Sequence, residues 1–333
     1  MFRLQHQIFC EVIQWLQQGE RCWLATITST YGSSPRPAGS IMACNSKGDV
    51  IGSLSGGCIE ETLIKRVIHS SDFQDKPRWV HYAQNYQTEQ AIEMPCGGEI
   101  KLLLEPLSPS HLKHFQELLC ALEHRQPIQR HVDISSGAMQ LLSHRSPDFY
   151  VTDSQLFHTL LPKYQLLIIG INPVSLYVAE MANSLDFQVS LCDPRKSAHQ
   201  YWRPDEYPYV MFTQKLPDDV IREKFSGPLC AIAALAHDPR IDDMALMEAL
   251  TSQSFYVGAM GSQKSTLKRK GRLKDLGINP AQLSALRAPI GLPIGSKTPM
   301  EIAISIAAEL AQARNTHKKQ PSIQTEAPQL LPA

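Results

Sequence analysis

The sequence predicts an α/β protein in two parts, an amino-terminal α+β module followed by a Rossmann-like, doubly wound parallel-sheet domain. Three observations carry that reading. The chain has 333 residues, more than one compact core of average size fills. From Tyr164 onward, KYQLLIIGINPVSLYVAEMANSLDFQVSLCDPR reads as buried strand, tight turn, amphipathic helix and second buried strand, which is one βαβ unit of a parallel sheet. Before it, helices and short strands are separated by glycine- and proline-rich turns. The expected division is a module over residues 1–120, a linker over 121–160, the Rossmann-like domain over 161–313 and a disordered tail over 314–333.

The first module starts with an amphipathic helix over about Leu4 to Gln18, then the β-branched strand CWLATITST. YGSSPRPAG excludes regular structure, because two prolines and two glycines interrupt it. SIMACNSKGDVIGSLSGG reads as a hairpin around Ser46 to Asp49. CIEETLIKRVIH continues as a helix with Ile59, Leu63, Val67 and Ile64 inward. A strand near Trp79 to Ala83 precedes EMPCGGEIKLLLEPL, a turn feeding an apolar strand, and residues 108–162 read as a helix, two weaker strands and a connection. In the second part, PLCAIAAL and SFYVGAMG are further strands, with helices over Ile241 to Leu250, Ser265 to Leu276 and Pro299 to Ala313. NTHKKQPSIQTEAPQLLPA has no periodicity.

Lys+Arg 32 against Asp+Glu 32 gives no net charge, so nothing global attracts nucleic acid or an anionic membrane, and any anion site is local. The eight cysteines form no CxxC pair, and MFRLQHQIFCEVIQWL lacks the pattern of a secretory signal. Reduced thiols in a cytoplasmic protein are the expectation, without a disulfide framework or a closed zinc site. No apolar run reaches the roughly 18–20 residues needed to span a bilayer.

The turn after Ile169 lies where a dinucleotide fingerprint would stand, yet it reads Gly170, Ile171, Asn172, Pro173, Val174, Ser175, keeping only the first glycine. Asp193 ends the second strand, where an acidic residue would hold a ribose hydroxyl or simply cap a turn, and Arg195 beside it could face a phosphate. GAMGSQKSTLKRKGRLK places Gly258, Gly261 and Ser262 before a helix carrying Lys264, Lys268, Arg269 and Arg272, an anion site or a solvated basic face. GLPIGSKTPMEI departs from a phosphate loop and reads as Thr298 capping a helix with Glu301 closing a capping box. His237 and Asp238 are either an acid/base pair or a hydrogen-bonded turn.

Three stretches of the first module pair glycine turns with one reactive or charged group: Arg36 in GSSPRPAG, Cys58 in SGGCIEE and Cys96 in MPCGGE. Arg36 between two prolines suits a phosphate or carboxylate. Cys58 at a helix start gains thiolate character from the helix dipole, although lone cysteines are more often inert small hydrophobes. Glu60 and Glu61 are acid/base candidates or ordinary first-turn acids.

GSSPRPAGSIM, GSLSGGCIEE and CGGEIKLLLEP together resemble the amino-terminal module of the XdhC/CoxI family, the accessory proteins of molybdenum hydroxylases. HDPRIDD, FYVGAMGSQK and APIGLPIGSKTPMEIAISIAAEL resemble that family's Rossmann module. The resemblance implies a molybdenum cofactor chaperone. Such a protein binds and protects the cofactor, supports its sulfuration with a cysteine desulfurase, and hands it to apo xanthine dehydrogenase or a related hydroxylase. It implies binding rather than catalysis, cytoplasmic location and contact with molybdenum cofactor biosynthesis proteins. A homodimer is the expected assembly. Carried over to this sequence, the cofactor residues are Arg36, Gly56, Gly57, Cys58, Glu60, Cys96, Gly97 and Gly98, with Cys58 the expected contact to molybdenum or its sulfur. Gly170, Asp193, Gly258, Gly261 and Ser262 complete the cofactor-binding set. GINPVS departs from the family's more glycine-rich turn, which predicts against NAD(P). An NAD(P)-dependent oxidoreductase using Gly170, Asp193 and His237 is the rival reading, and a scaffold that binds only proteins is the third.

Overall fold

The computed structural model describes residues 2–32, 36–57, 59–69, 76–82, 91–92, 98–143 and 148–319. It divides into two compact units, Met1–Pro162 and Lys163–Gln320.

In the first unit, helix α1 (Phe2–Gln17) buries Ile8, Phe9, Val12, Trp15 and Leu16, the spacing of one helical face. Strands β1 (Cys22–Tyr31), β2 (Ile41–Asn45) and β3 (Val50–Gly52) follow, then α2 (Glu60–His69), β4 (Arg78–Tyr82), β5 (Ala91–Ile92) and β6 (Glu99–Leu107). These strands form one sheet in the order β3-β2-β1-β6-β4-β5, antiparallel except between β4 and β5. Both faces are covered. Ile59, Leu63 and Val67 lie buried against Trp23, Ala25, Ile27 and Leu102 on one face, with Ile64 partly buried beside them. On the other face, α1 and α3 (Leu112–Glu123) pack on Leu24, Ile41 and Leu107.

Residues 121–160, expected as a linker, are instead the end of α3 and the strands β7 (Ile128–Asp133), β8 (Met139–Ser143), β9 (Phe149–Val151) and β10 (Gln155–Leu160). They make a second sheet, β8-β7-β10-β9. Its alternation is weak because a charged residue sits inside: the Arg130 guanidinium donates to both Glu105 oxygens at 2.7 and 2.9 Å with both side chains buried. An isolated buried charge would be costly, so arginine reads as surface from sequence alone. Leu156 and Val132 pack beside that pair on Leu103 of β6.

The second unit is the expected doubly wound sheet. Its elements are β11 (Gln165–Ile169), α4 (Pro173–Ser184), β12 (Gln188–Cys192), β13 (Met211–Thr213), α5 (Pro217–Lys224), β14 (Cys230–Ala234), α6 (Pro239–Thr251), β15 (Tyr256–Ala259), α7 (Gln263–Asp275), α8 (Pro280–Ala285), β16 (Leu286–Arg287) and α9 (Pro299–Lys319). All six strands are parallel, in the order β13-β12-β11-β14-β15-β16. The order reverses between β11 and β14, the place where such sheets open a crevice for ligands. Thr298 and Glu301 form the expected capping box, each side chain accepting the other's backbone N–H at 3.3 and 2.9 Å. Helix α9 runs past Ala313, where a tail was expected to begin, because its last turns are tied down. Arg314 donates to the Leu185 carbonyl, and the Tyr164 hydroxyl meets His317 Nδ1 at 3.0 Å.

Candidate functional site

Strand register brings the described parts of the three glycine stretches to one end of the first unit's six-stranded sheet. Tyr31, the last residue of β1, pairs with Glu99, the first of β6, so the chain leaves β1 at the end of the sheet where Gly98 leads into β6. Ile41 at the start of β2 pairs with Thr26, and Gly52 at the end of β3 pairs with Met42, which sends SLSGG out at the same end. Tyr82, last in β4, pairs with Ile100 and arrives there too. Segments far apart in sequence are thus neighbours because antiparallel pairing alternates strand direction.

The loop after β3 is built around a carboxylate. Glu60 Oε1 accepts from Ser53 Oγ at 2.7 Å, the amides of Leu54 and Ser55 at 2.9 Å each, and the Gly56 amide at 3.2 Å. Its Oε2 accepts from Ser55 Oγ at 2.6 Å and the amides of Gly57 and Ile59 at 3.0 and 3.1 Å. Burial pushes this carboxyl up, but the bonds from Ser55, Ser53 and Leu54 outweigh that and hold it well below the usual carboxylate range. Gly56 and Gly57 have φ of +90° and +124°, while a Cβ at either would meet nothing within 4 Å. The two glycines are needed for backbone shape, a concave run of N–H groups, and not for space.

That arrangement corrects two expectations. Glu60 is anionic and fully engaged by its own loop, so it is not a free acid/base group; it organises the loop. The amides of Gly56 and Gly57 point at Glu60 and are not open to a phosphate. Glu61 is exposed and pairs with Lys65 at 2.6 Å, an ordinary helix-surface contact. Arg36 is half-buried and Gly98 is buried at the same end of the sheet. Cys58, Cys96 and Gly97 lie outside the described residues.

Sequence reasoning missed Tyr82. Its side chain is fully buried, and its hydroxyl has no hydrogen-bond partner among the described residues. A buried polar group left unpaired is costly and calls for a ligand or water. Burial pushes its phenol up, Arg66 opposes this, and Glu60 adds to it, which places both charged groups near the ring. A tyrosine in a strand alternating with Val80 carries no sequence mark of this kind.

In the second unit, the crevice between β11 and β14 is bridged by its own side chains. Gly170 has φ +94°, and a Cβ there would lie 2.3 Å from Ala236 Cα, so glycine serves close backbone approach. Asn172, standing where a fingerprint has its second glycine, caps α4 by accepting from Ser175 N at 3.1 Å and donates from Nδ2 to the Leu235 carbonyl at 2.7 Å. Asp193 is fully buried. One of its oxygens accepts from Ile171 N and Arg195 Nη2, both at 2.8 Å, and the other from Arg195 N and Nε, both at 3.0 Å. Arg195 Nη1 reaches across to the Ala236 carbonyl at 3.1 Å. The ribose and phosphate contacts expected of Asp193 and Arg195 are therefore filled within the chain.

The basic run on α7 is also spent internally. Arg269 is buried and donates to Asp242 at 3.1 Å, Asp243 at 3.3 Å and the Met260 carbonyl at 2.9 Å. Arg272 adds bonds of 2.5 and 3.1 Å to Asp243. Lys264 and Lys268 stay exposed. Gly258 and Gly261 are packing positions, with a Cβ coming within 2.6 Å of Ile290 and of Ser265 Oγ respectively, and Ser262 caps α7. Asp238 caps α6 and grips the Arg240 guanidinium at 2.9 and 3.1 Å, so it is a hydrogen-bonded turn residue and not the partner of His237. His237 has φ +57°, and burial, then Arg269 and Arg195, push its imidazole down, keeping it neutral. Among the described residues, no group of histidines, cysteines and carboxylates has metal-site geometry, and no helix is long and apolar enough to cross a membrane.

Comparison with known proteins gives two matches to families. Residues 15–82 match the XdhC and CoxI family, and residues 166–310 match the XdhC Rossmann domain. The chain is 25% identical over 329 residues to a Bacillus subtilis (strain 168) protein described as a probable xanthine dehydrogenase subunit, covering 90% of this chain and 95% of that one. It is 22% identical over 303 residues to the molybdenum cofactor insertion chaperone PaoD of Escherichia coli (strain K12), covering 91% and 86%. Among solved structures, it resembles a xanthine dehydrogenase (BH1974) from Bacillus halodurans with TM-score 0.73 and 25% identity, covering 94% of this chain and 98% of that one.

Proposed function

We propose that this chain, which belongs to the XdhC and CoxI family, is a maturation protein that binds molybdenum cofactor, supports its sulfuration and delivers it to an apo molybdenum hydroxylase such as xanthine dehydrogenase. The observation that supports it is that Arg36, the Ser53–Gly57 loop and Gly98 lie at one end of the first unit's six-stranded sheet, where Tyr82 also ends its strand with a hydroxyl that has no hydrogen-bond partner among the described residues.

The residues fit the group in part. Molybdopterin presents a phosphate, a pterin rich in hydrogen-bonding groups and a soft metal centre held by sulfur. The Arg36 guanidinium suits the phosphate, and the Tyr82 hydroxyl supplies a buried partner for a polar edge. Cys58 and Cys96, by their places in the sequence, would bring thiolate to the metal end. The Gly56–Gly57 amides do not join this set, since Glu60 holds them. When bound, the cofactor supplies the molybdenum chemistry; the chain's part is to hold it, exclude water and release it.

The reading is tested by co-expression with candidate apo-hydroxylases and with a cysteine desulfurase, measuring molybdenum, pterin and cyanolysable sulfur in the target enzyme. At least one hydroxylase should gain activity only when this chain is present. Cys58→Ala and Tyr82→Phe should each lower the pterin retained on the purified chain. Activation of none of the hydroxylases, with pterin retention unchanged in both variants, would overturn the proposal. An NAD(P)-dependent oxidoreductase finds little support, because Asn172, Asp193 and Arg195 already occupy the contacts a dinucleotide would need.

A further inference from the structure

The loop between β3 and α2 cradles an anion, and that anion is its own side chain. Two serine hydroxyls and five amides from Ser53 to Ile59 converge on the Glu60 carboxylate at 2.6 to 3.2 Å. A carboxylate offers about four lone-pair directions, so the donors outnumber the places that can receive them. Two amides are shared in consequence. Gly56 N, on the longest of these bonds, also reaches Ser53 Oγ at 3.0 Å, and Ile59 N also reaches Ser55 Oγ at 3.2 Å.

Successive amides aimed at one point, with glycines at φ +90° and +124°, make the backbone concavity that holds phosphate groups in proteins. Both glycines are exposed, and a Cβ at either would meet nothing within 4 Å, so the loop is open to an incoming group. A second observation, from a different strand, points to the same place. Tyr82 is fully buried, and its hydroxyl has no hydrogen-bond partner among the described residues, which calls for one from outside the chain. Burial pushes that phenol up, Arg66 opposes this and Glu60 adds to it, so the ring lies within electrostatic reach of both charges.

A phosphate group brings three acceptor oxygens and about two negative charges, a better match to this many donors than a planar carboxylate with two oxygens. We propose that the loop binds a phosphate group in exchange for Glu60: the ligand oxygens take the amides of residues 54–57 and 59, and the displaced carboxylate turns to solvent. The two anions exclude each other, so the return of Glu60 ejects the ligand. A carboxylate ligand would only repeat the fit that the tethered carboxylate already has. The proposal rests on the carrier role given above and adds to it a built-in competitor, which limits how tightly cargo is held and lets it leave.

The test uses Glu60→Gln, which removes the competing charge, with inorganic phosphate and phenyl phosphate as probes, each against sodium chloride at equal ionic strength. Either probe should raise the unfolding midpoint of Glu60→Gln saturably and bind it at least about tenfold more tightly than wild type. Hydrogen exchange should show the amides of residues 54–57 and 59 regaining protection when the probe is added. The tighter probe tells the free ion from a phosphate monoester. Glu60→Ala should respond alike, and if either variant is unfolded at low salt, its refolding on addition of phosphate, followed by circular dichroism, reads the same binding. No saturable effect of either probe up to about 100 mM, an equal effect on wild type, or protection gained outside this loop would each overturn the proposal. These readouts involve neither a hydroxylase nor a pterin, so their failure is distinct from failure of the maturation role.

Discussion

Glu60→Gln should destabilise the first unit far more than a half-exposed surface carboxylate ordinarily would. The wild-type carboxylate accepts two hydroxyl and five amide hydrogen bonds from Ser53, Leu54, Ser55, Gly56, Gly57 and Ile59. An amide in its place removes the charge and turns one acceptor into an –NH₂ that faces donors. Hydrogen bonds to a charged group contribute roughly 1.5–3 kcal/mol each, but they are not additive, and solvent screens this partly exposed group. The expected net loss is about 2–3 kcal/mol, a fall in Tm of about 5–10 °C for a unit of this size. Thermal and urea unfolding of both chains measure it, and hydrogen exchange should show the amides of residues 54–57 and 59 losing protection. The pH dependence has a fixed sign. The folded carboxyl lies below its unfolded value of about 4.3, so its stabilisation is complete above that pH and disappears as pH falls through the folded value. The gap between wild type and Glu60→Gln should therefore be constant from neutral pH to about 5 and shrink on further acidification. A variant within about 0.5 kcal/mol of wild type, or a gap that persists undiminished near pH 2, would refute the organising role assigned to Glu60.

Gly170→Ala should cost about 3–5 kcal/mol in the second unit, since its Cβ would lie 2.3 Å from Ala236 Cα at φ +94°, whereas Gly56→Ala, with open space around it, should cost only about 1 kcal/mol of backbone strain. Comparative urea unfolding of the two variants checks that contrast. Burial pushes the Asp242 carboxyl up to about 6 against the pull of Arg269, so the second unit should lose stability as pH rises from about 4 to 6. Asp242→Asn should flatten that interval in a pH series of urea midpoints. Burial pushes the thiols of Cys22, Cys44 and Cys192 up to about 12, and Cys230 is buried as well, whereas Cys10 and Cys120 are exposed. Native-state iodoacetamide labelling read by peptide mass spectrometry should modify Cys10 and Cys120 and spare the four buried thiols until the chain unfolds.

Local rules were enough wherever neighbours in sequence settle the structure. The βαβ unit from Tyr164, the inward stripe of Ile59, Leu63 and Val67, and the capping box of Thr298 and Glu301 were all legible, because periodicity and capping act over three or four residues. The departure of GINPVS from a dinucleotide fingerprint was legible too, and so were the glycine-paired stretches of the first module. What sequence could not assign was the partner of each charge. Glu60 looked available until the loop folded around it; Asp193 and Arg195 looked like ligand contacts until each was found satisfying the other. Arg130 obscured part of the second sheet, of which the sequence showed two weak strands and the structure has four, because its compensating Glu105 lies 25 residues away in the chain. A carboxylate or guanidinium costs much to bury alone and little when matched, and for Arg130 with Glu105 and for Asp193 with the Ile171 amide the match is made by residues that only the fold brings within 3 Å. The same holds for Tyr82: its sequence context is that of an ordinary strand, and only burial at the end of the sheet leaves its hydroxyl without a hydrogen-bond partner among the described residues.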